Sequence, residues 1–404
     1  MAQTLKFGNG EWATKKGSTL AFNDENGNFK PLPFDFERAG SATRVNKEGL
    51  IEVVSNNEPR IDFNDNSKGA LLLEPTRTNL IQQSNNFSAW SVISNVTINT
   101  NSLISPNGVN NGNKIIPNGT NSIHQIRLIY SSVTNTYNFS VFAKKGEYKN
   151  ILIWDDTVAE GIGVNLDDLS IFRNENVEGY KIEQYSDGWV RISYTRSYTS
   201  EQPRPAIYIY DNSETPQITF AGNNSDGLYL WGAQLEQGSY ATSYIPTQGS
   251  AVTRDADVCS NDFSSSPTVP NTNTIVLKFI PMGIDVDFSE LIRFSDGTNH
   301  FSLQGYSTNN YDIYGSGLVA GGMIAGSLLL NSGSVNIISF SYSGTSLRFS
   351  HNGNTINTST PTGNLPTITE ISHSVGVLNA IKIIKLEVYN DFKTQEDLNT
   401  LTRQ

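Results

Sequence analysis

Apolar and polar positions alternate with a period of two over most of the chain. The clearest runs are Tyr137-Asn138-Phe139-Ser140-Val141-Phe142-Ala143, Val190-Arg191-Ile192-Ser193-Tyr194-Thr195, Ala206-Ile207-Tyr208-Ile209-Tyr210 and Gly227-Leu228-Tyr229-Leu230-Trp231-Gly232. Successive strand side chains point to opposite faces, so each run supplies one core row and one outward row. The runs are short and separated by Asn, Gly, Ser and Asp turns, the spacing of sandwiches and barrels. Amphipathic helical periodicity is nearly absent. The exception lies near the end. Thr394 fits an N-cap, Asp397 follows three residues on, and Leu398 and Leu401 stand one turn apart. That pattern predicts one short capped helix docking two leucines.

At ~100–200 residues per domain, 404 residues predict two to four domains. Residues 1–78 carry short β runs punctuated by Gly, Asn and Pro, without a continuous core pattern. Residues 79–257 hold a dense set of predicted strands and Trp90, Trp154, Trp189 and Trp231. Residues 258–273 are rich in Ser, Pro and Asn and read as a linker. Residues 274–404 hold a second set of strands with no tryptophan.

Composition narrows the chemistry. Charged residues are 17 % of the chain, against ~25 % in ordinary soluble domains. Asn, Ser, Thr and Gly fill the difference, which suits turns and outward strand positions. The net charge of −11 and the lack of any basic run argue against nucleic acid and anionic membranes as partners. The opening MAQTLKFGNG has no apolar core of the signal-peptide kind. The longest apolar stretch, Leu318 to Leu330, is interrupted by Gly and falls short of the ~18–20 residues that span a bilayer. One cysteine, Cys259, cannot form an internal disulfide, which fits synthesis in a reducing cytoplasm.

Three stretches resemble known families. The run from Phe36-Glu37-Arg38-Ala39-Gly40-Ser41 through Pro59-Arg60-Ile61-Asp62-Phe63 to Gly69-Ala70-Leu71-Leu72-Leu73-Glu74-Pro75-Thr76-Arg77-Thr78-Asn79-Leu80 resembles the N-terminal module of tailed-bacteriophage head-spike, head-fibre and tail-fibre proteins. Leu228-Tyr229-Leu230-Trp231-Gly232-Ala233-Gln234-Leu235-Glu236, continuing to Pro246-Thr247, resembles the closing strand of jelly rolls similar to carbohydrate-binding modules. Ser339 to Gly353, with Ile381 to Tyr389 and the last helix, resembles a laminin-G or concanavalin-like sandwich. Within it, Asn352-Gly353 favours a type I′ hairpin turn, because both residues tolerate positive φ.

These resemblances imply an all-β virion protein. Its N-terminal attachment module (1–78) would dock on capsid or tail proteins. A carbohydrate-binding-like jelly roll (79–257), a linker (258–273) and a laminin-G-like sandwich (274–404) follow. They also imply a homo-oligomer, a trimer by analogy with symmetric fibres, and host-surface polysaccharide as ligand. The alternatives are a decoration protein without ligand and, as a third, a polysaccharide depolymerase.

The chain has no GxSxG elbow, Walker loop, HExxH or CxxC, so no enzyme is expected. His124, His300, His351 and His373 stand singly, without the convergent donors of a metal site. The adjacent Asp155-Asp156 is the pair a depolymerase would use, the other reading being a turn at a strand end. Sugar binding asks for aromatic faces and polar donors. Trp189 and Trp231 are expected in the core. Trp154, Tyr208 and Tyr210 are candidates for an exposed platform, with Ile207 and Ile209 facing inward and Arg191 and Arg204 as donors. Core packing or a subunit interface are the competing readings. Tyr306, Tyr311 and Tyr314 are candidates in the Gly- and Asn-rich stretch Gln304 to Gly317, the competing reading being an ordinary hairpin tip. No organic cofactor is expected. Asp226 and Glu236 are the donors to consider for a structural calcium ion.

Overall fold

The computed structural model describes the backbone of residues 4–8, 12–14, 20–23, 29–31, 35–262, 274–283, 289–307, 310–316, 323–330, 333–360, 370–373, 379–389 and 391–403. Side chains are described within these, apart from 4–31, 261–262, 306–307, 310, 316, 323–327 and 329. The fold is all-β with antiparallel sheets. The single α-helix of the described residues, Gln395–Leu401, starts at Thr394 with the expected capping box to Asp397 and buries Leu398.

The chain forms two compact units. The central unit is Glu48–Glu52 with Arg77–Arg254; the terminal unit combines Met1–Lys47, Val53–Thr76 and Asp255–Gln404.

In the central unit two sheets face each other. The first runs in the order Val92–Ser94, Ser122–Arg127, Pro205–Tyr210, Asn150–Asp155, Glu160–Asn165, Ile171–Glu175. The second runs Val96–Ile104, Asn110–Pro117, Leu228–Gln237, Asn135–Lys144, Val190–Tyr198, Gly179–Gln184. The alternation sorts side chains as expected. Tyr137, Phe139, Val141 and Ala143 join Ile151, Ile153, Ile162, Ile207 and Ile209 in one core, while Asn138, Ser140 and Phe142 point away from it. Trp189 and Trp231 are each 1 % exposed.

The terminal unit is a second sandwich, and here the expected boundaries need correction. Residues 1–78 are not structurally separate. Thr4–Gly8 and Ala70–Leu73 both pair with Ala380–Tyr389, and Arg60–Asp62 continues that sheet. Asp35–Glu37 pairs with Val258–Asp262 in the opposite sheet. Leu71 and Leu73 pack between the sheets with Ile275, Leu277 and Leu386. The N-terminal segment lacks a continuous core pattern because its strands complete a core supplied mainly by distant sequence. The segment read as a linker begins as the strand Val258–Asp262; residues 263–273 lie outside the described residues.

Buried charge ties these segments together. Asp257 accepts from Arg38 Nη1 at 2.9 Å, from Arg60 Nη2 and from the Glu74 backbone N–H at 2.8 Å. Arg60 Nη1 also donates to Glu74 Oε2 at 2.7 Å. Lys382 Nζ donates to Asp62 Oδ1 at 2.8 Å and to Asp65. Cys259 is buried in the same core, and burial pushes its thiol up to about 12, which leaves it unreactive as a nucleophile.

Candidate functional site

An open cleft of about 660 Å³ lies in the central unit. It forms where two inward rows run out of apolar residues. On the strand Val96–Ile104 the row Val96, Ile98 packs on the core and continues to Thr100; on Asn110–Pro117 the row Ile115 continues to Asn113 and Asn111. Ile98 stands opposite Ile115, so the change from apolar to polar falls at the same level in both strands. The pairing then breaks. Asn99 faces Lys114 and Leu103 faces Gly112, so residues 100–102 arch outward, with Asn101 at φ 53°. Asn tolerates that left-handed conformation better than other non-glycine residues.

The opposite wall comes from residues 82–86 and 246–248. The chain there is fixed by bonds from the Gly249 N–H to Gln82 O at 2.8 Å and from the Ala233 N–H to Ser84 O at 2.9 Å. Behind it, Ser84 Oγ meets the Tyr244 hydroxyl at 2.7 Å and accepts from the Thr247 N–H at 3.0 Å. Burial raises the Tyr244 phenol, which stays neutral. Asn85 Oδ1 accepts from the Gly232 N–H at 2.7 Å.

The lining is almost wholly amide: Gln83, Asn85, Asn86, Asn101, Asn111, Asn113 and Gln248, with Thr100, Pro246 and Thr247. None of these carries a charge. Asn113 is 2 % exposed, and its Nδ2 donates to Asn85 O at 3.0 Å and Asn111 O at 3.4 Å. Both partners are carbonyl oxygens, so the remaining amide atom is the acceptor Oδ1. The Gln83, Asn86, Asn101 and Gln248 side chains make no hydrogen bond among the described residues and surround the opening. Sequence reasoning missed this site, although a signal was present. Asn111 and Asn113 occupy positions where the β alternation calls for apolar residues.

The expected aromatic platform is placed differently. Trp154, Tyr208 and Tyr210 do lie on the outward row of the first sheet, with Ile207 and Ile209 inward. They are nevertheless only 8, 7 and 4 % exposed. The cause is local. A bulge in Ile171–Glu175 brings Phe172 and Arg173 onto the same face. The facing strand has glycine there: a Cβ at Gly163 would sit 2.6 Å from the Phe172 ring, and one at Gly161 2.9 Å from the Trp154 ring. Phe172 and Trp154 fill the space that side chains at these positions would take, and the Phe172 ring is tilted 55° to that of Tyr210 with centroids 5.1 Å apart. Arg173 covers Trp154 at 4.4 Å from the ring centroid and donates to the Tyr210 hydroxyl at 3.1 Å. The Tyr208 hydroxyl donates to Asp156, which also accepts from Arg127 Nη1 at 2.5 Å. The platform is a closed outer cluster, not an open surface.

Other expected residues are also committed. Arg191 belongs to the second sheet, donates to Thr242 O at 2.6 Å and Ser140 Oγ at 2.9 Å, and lies over Phe142. It cannot serve a face of the first sheet. Arg204 Nη2 reaches Gln202 at 3.3 Å. Tyr311 is fully buried in the terminal core: the strands His300–Ser307 and Asn310–Ser316 pair as a hairpin, with Ser307 opposite Asn310, and Tyr311 stands on its inward row. Tyr314 is half-buried beside His300, and the Tyr306 side chain lies outside the described residues. Asp155 and Asp156 diverge. Asp155 is buried, accepts from the Tyr198 hydroxyl at 2.5 Å and the Thr157 N–H at 2.7 Å, and Asp156 meets the outer cluster. The two carboxylates do not converge on one space.

Asp226 and Glu236 cannot share a cation. Leu228 and Glu236 alone are separated by roughly 25 Å of strand, against ligand distances of ~2.5 Å. Asp226 closes an exposed turn with Asn223 and Ser225, and buried Glu236 accepts from the Thr242 N–H at 2.9 Å and hydroxyl at 2.6 Å. Among the described residues no three His, Cys, Asp or Glu side chains group as metal ligands. His124 and His373 are buried within strands. His124 holds Asn95 O and Phe220 O, and His373 holds Leu291 O.

No protein-family model matches the sequence, and no curated protein does. Among solved structures, the CBM40 module of the Ruminococcus gnavus IT-sialidase bound to alpha2,3 sialyllactose aligns at 14 % identity with a TM-score of 0.29, covering 35 % of this chain and 90 % of that one. A second structure of the same module aligns at 15 % identity with a TM-score of 0.28, covering 36 % and 92 %. A resemblance of this degree leaves the ligand open.

Proposed function

We propose that the protein binds glycans through the amide-lined cleft of its central unit, without catalysis and without a cofactor. The observation that carries this reading is the cleft's lining of seven amides, gathered from the two strands whose apolar rows turn polar and from the wall facing them. Amides donate and accept in one plane, as neighbouring sugar hydroxyls require. The volume falls within the ~300–1,000 Å³ of small-ligand pockets. The resemblance of Phe36 to Leu80 to phage fibre and spike modules supports a setting in the virion of a tailed phage. There the protein would be a symmetric oligomer attached to capsid or tail, and many copies would turn weak single sites into firm adhesion.

The test is a glycan array probed with the full chain and with a Gln83→Ala/Asn101→Ala variant. Each hydrogen bond lost is worth about 0.5–1.5 kcal/mol, so array binding should fall at least several-fold. Binding that is unchanged in the variant would remove the cleft from the account. Silence of the native protein across host polysaccharides would favour decoration without ligand.

A further inference from the structure

We propose that the cleft selects uncharged glycans and rejects those bearing carboxylate, sulfate or phosphate groups; this rests on the glycan reading above. The lining includes no Lys, Arg or His to offset an anion, and desolvating an unpaired anion is costly. The deepest fixed group points the same way. Asn113 has both amide hydrogens engaged by carbonyls, so it offers only Oδ1. That acceptor attracts a sugar hydroxyl and repels a carboxylate oxygen. Its orientation cannot reverse without turning the NH2 away from two carbonyl oxygens. The net charge of −11 adds long-range repulsion of polyanions.

The experiment uses the full chain and pairs of oligosaccharides that share a backbone. In each pair one member is neutral and the other carries a uronate, sialate or sulfate. Isothermal titration should show at least ten-fold weaker binding of the acidic member. Gln248→Lys, on the exposed rim, should raise the acidic-to-neutral affinity ratio several-fold. Asn113→Asp should lower neutral binding at least ten-fold, and circular dichroism tells a refolded site from a lost fold. Should Asn113→Asp not fold, the Gln248→Lys ratio decides alone. Acidic members bound as tightly as neutral ones, with binding still lost in Gln83→Ala/Asn101→Ala, would overturn the selectivity and leave the glycan reading standing. If neither member of any pair binds, both readings fall.

Discussion

Asp257 is fully buried and receives two guanidinium groups and a backbone N–H. Asp257→Ala would remove the carboxylate that Arg38 and Arg60 share in the core, leaving Arg60 with Glu74 and Arg38 with the Gly40 and Ser55 carbonyls. Breaking a buried pair costs about 3–5 kcal/mol, so urea unfolding of the terminal unit should shift by that order, and a change under 1 kcal/mol would show the cluster to be incidental. His373 makes a pH prediction. Burial lowers its proton affinity below the ordinary 6.5, against opposing contributions from Leu291 O and Asp257. The unfolded chain therefore binds this proton first as pH falls. Stability of the terminal unit is complete above about pH 6.5 and declines below it, by at most about 1.4 kcal/mol per pH unit for one histidine. Burial lowers His351 and His300 in the same direction. Melts at stepped pH should show the decline, and His373→Gln should flatten it. Neither Asp257 nor His373 was legible as a partner in the sequence, because their contacts join residues far apart along the chain. Asn113 was half legible, since a polar residue in an apolar row can be read, but the space it borders cannot.

At the level of elements the alternation carried most of the information. Ile207 and Ile209 face inward and Tyr208 outward as read. Asn352 and Gly353 take φ of 46° and 82°, the two positive values of the expected hairpin turn. What alternation did not convey is how an outward row is covered. The bulge at Phe172 and the bare backbone at Gly161 and Gly163 decide that the aromatic row is closed. Gly163→Ala should force the Phe172 ring aside, and a thermal melt should register a loss of about 1–3 kcal/mol. An unchanged melt would mean the ring moves freely. Thr394→Ala removes the helix cap and should cost about 1 kcal/mol.

For the whole molecule, the two sandwiches were visible as two sets of strands; the compact central unit is Glu48–Glu52 with Arg77–Arg254. The first 78 residues misled because strand pairing is not local. Ala70–Leu73 finds its neighbour at Ala380–Tyr389, more than three hundred residues on, and Arg60–Asp62 extends that sheet by pairing with Ala70–Leu73. Deleting residues 1–76 should therefore unfold the terminal unit, and proteolysis should then degrade residues 255–404; their persistence as a resistant fragment would contradict this assignment. The most direct test of the central claim is NMR of the isotope-labelled protein titrated with a neutral oligosaccharide taken from the array. The account predicts that side-chain NH2 signals of Gln83, Asn101 and Asn113 shift while the Trp154 indole stays still. Movement of the indole with the cleft amides unmoved would contradict it.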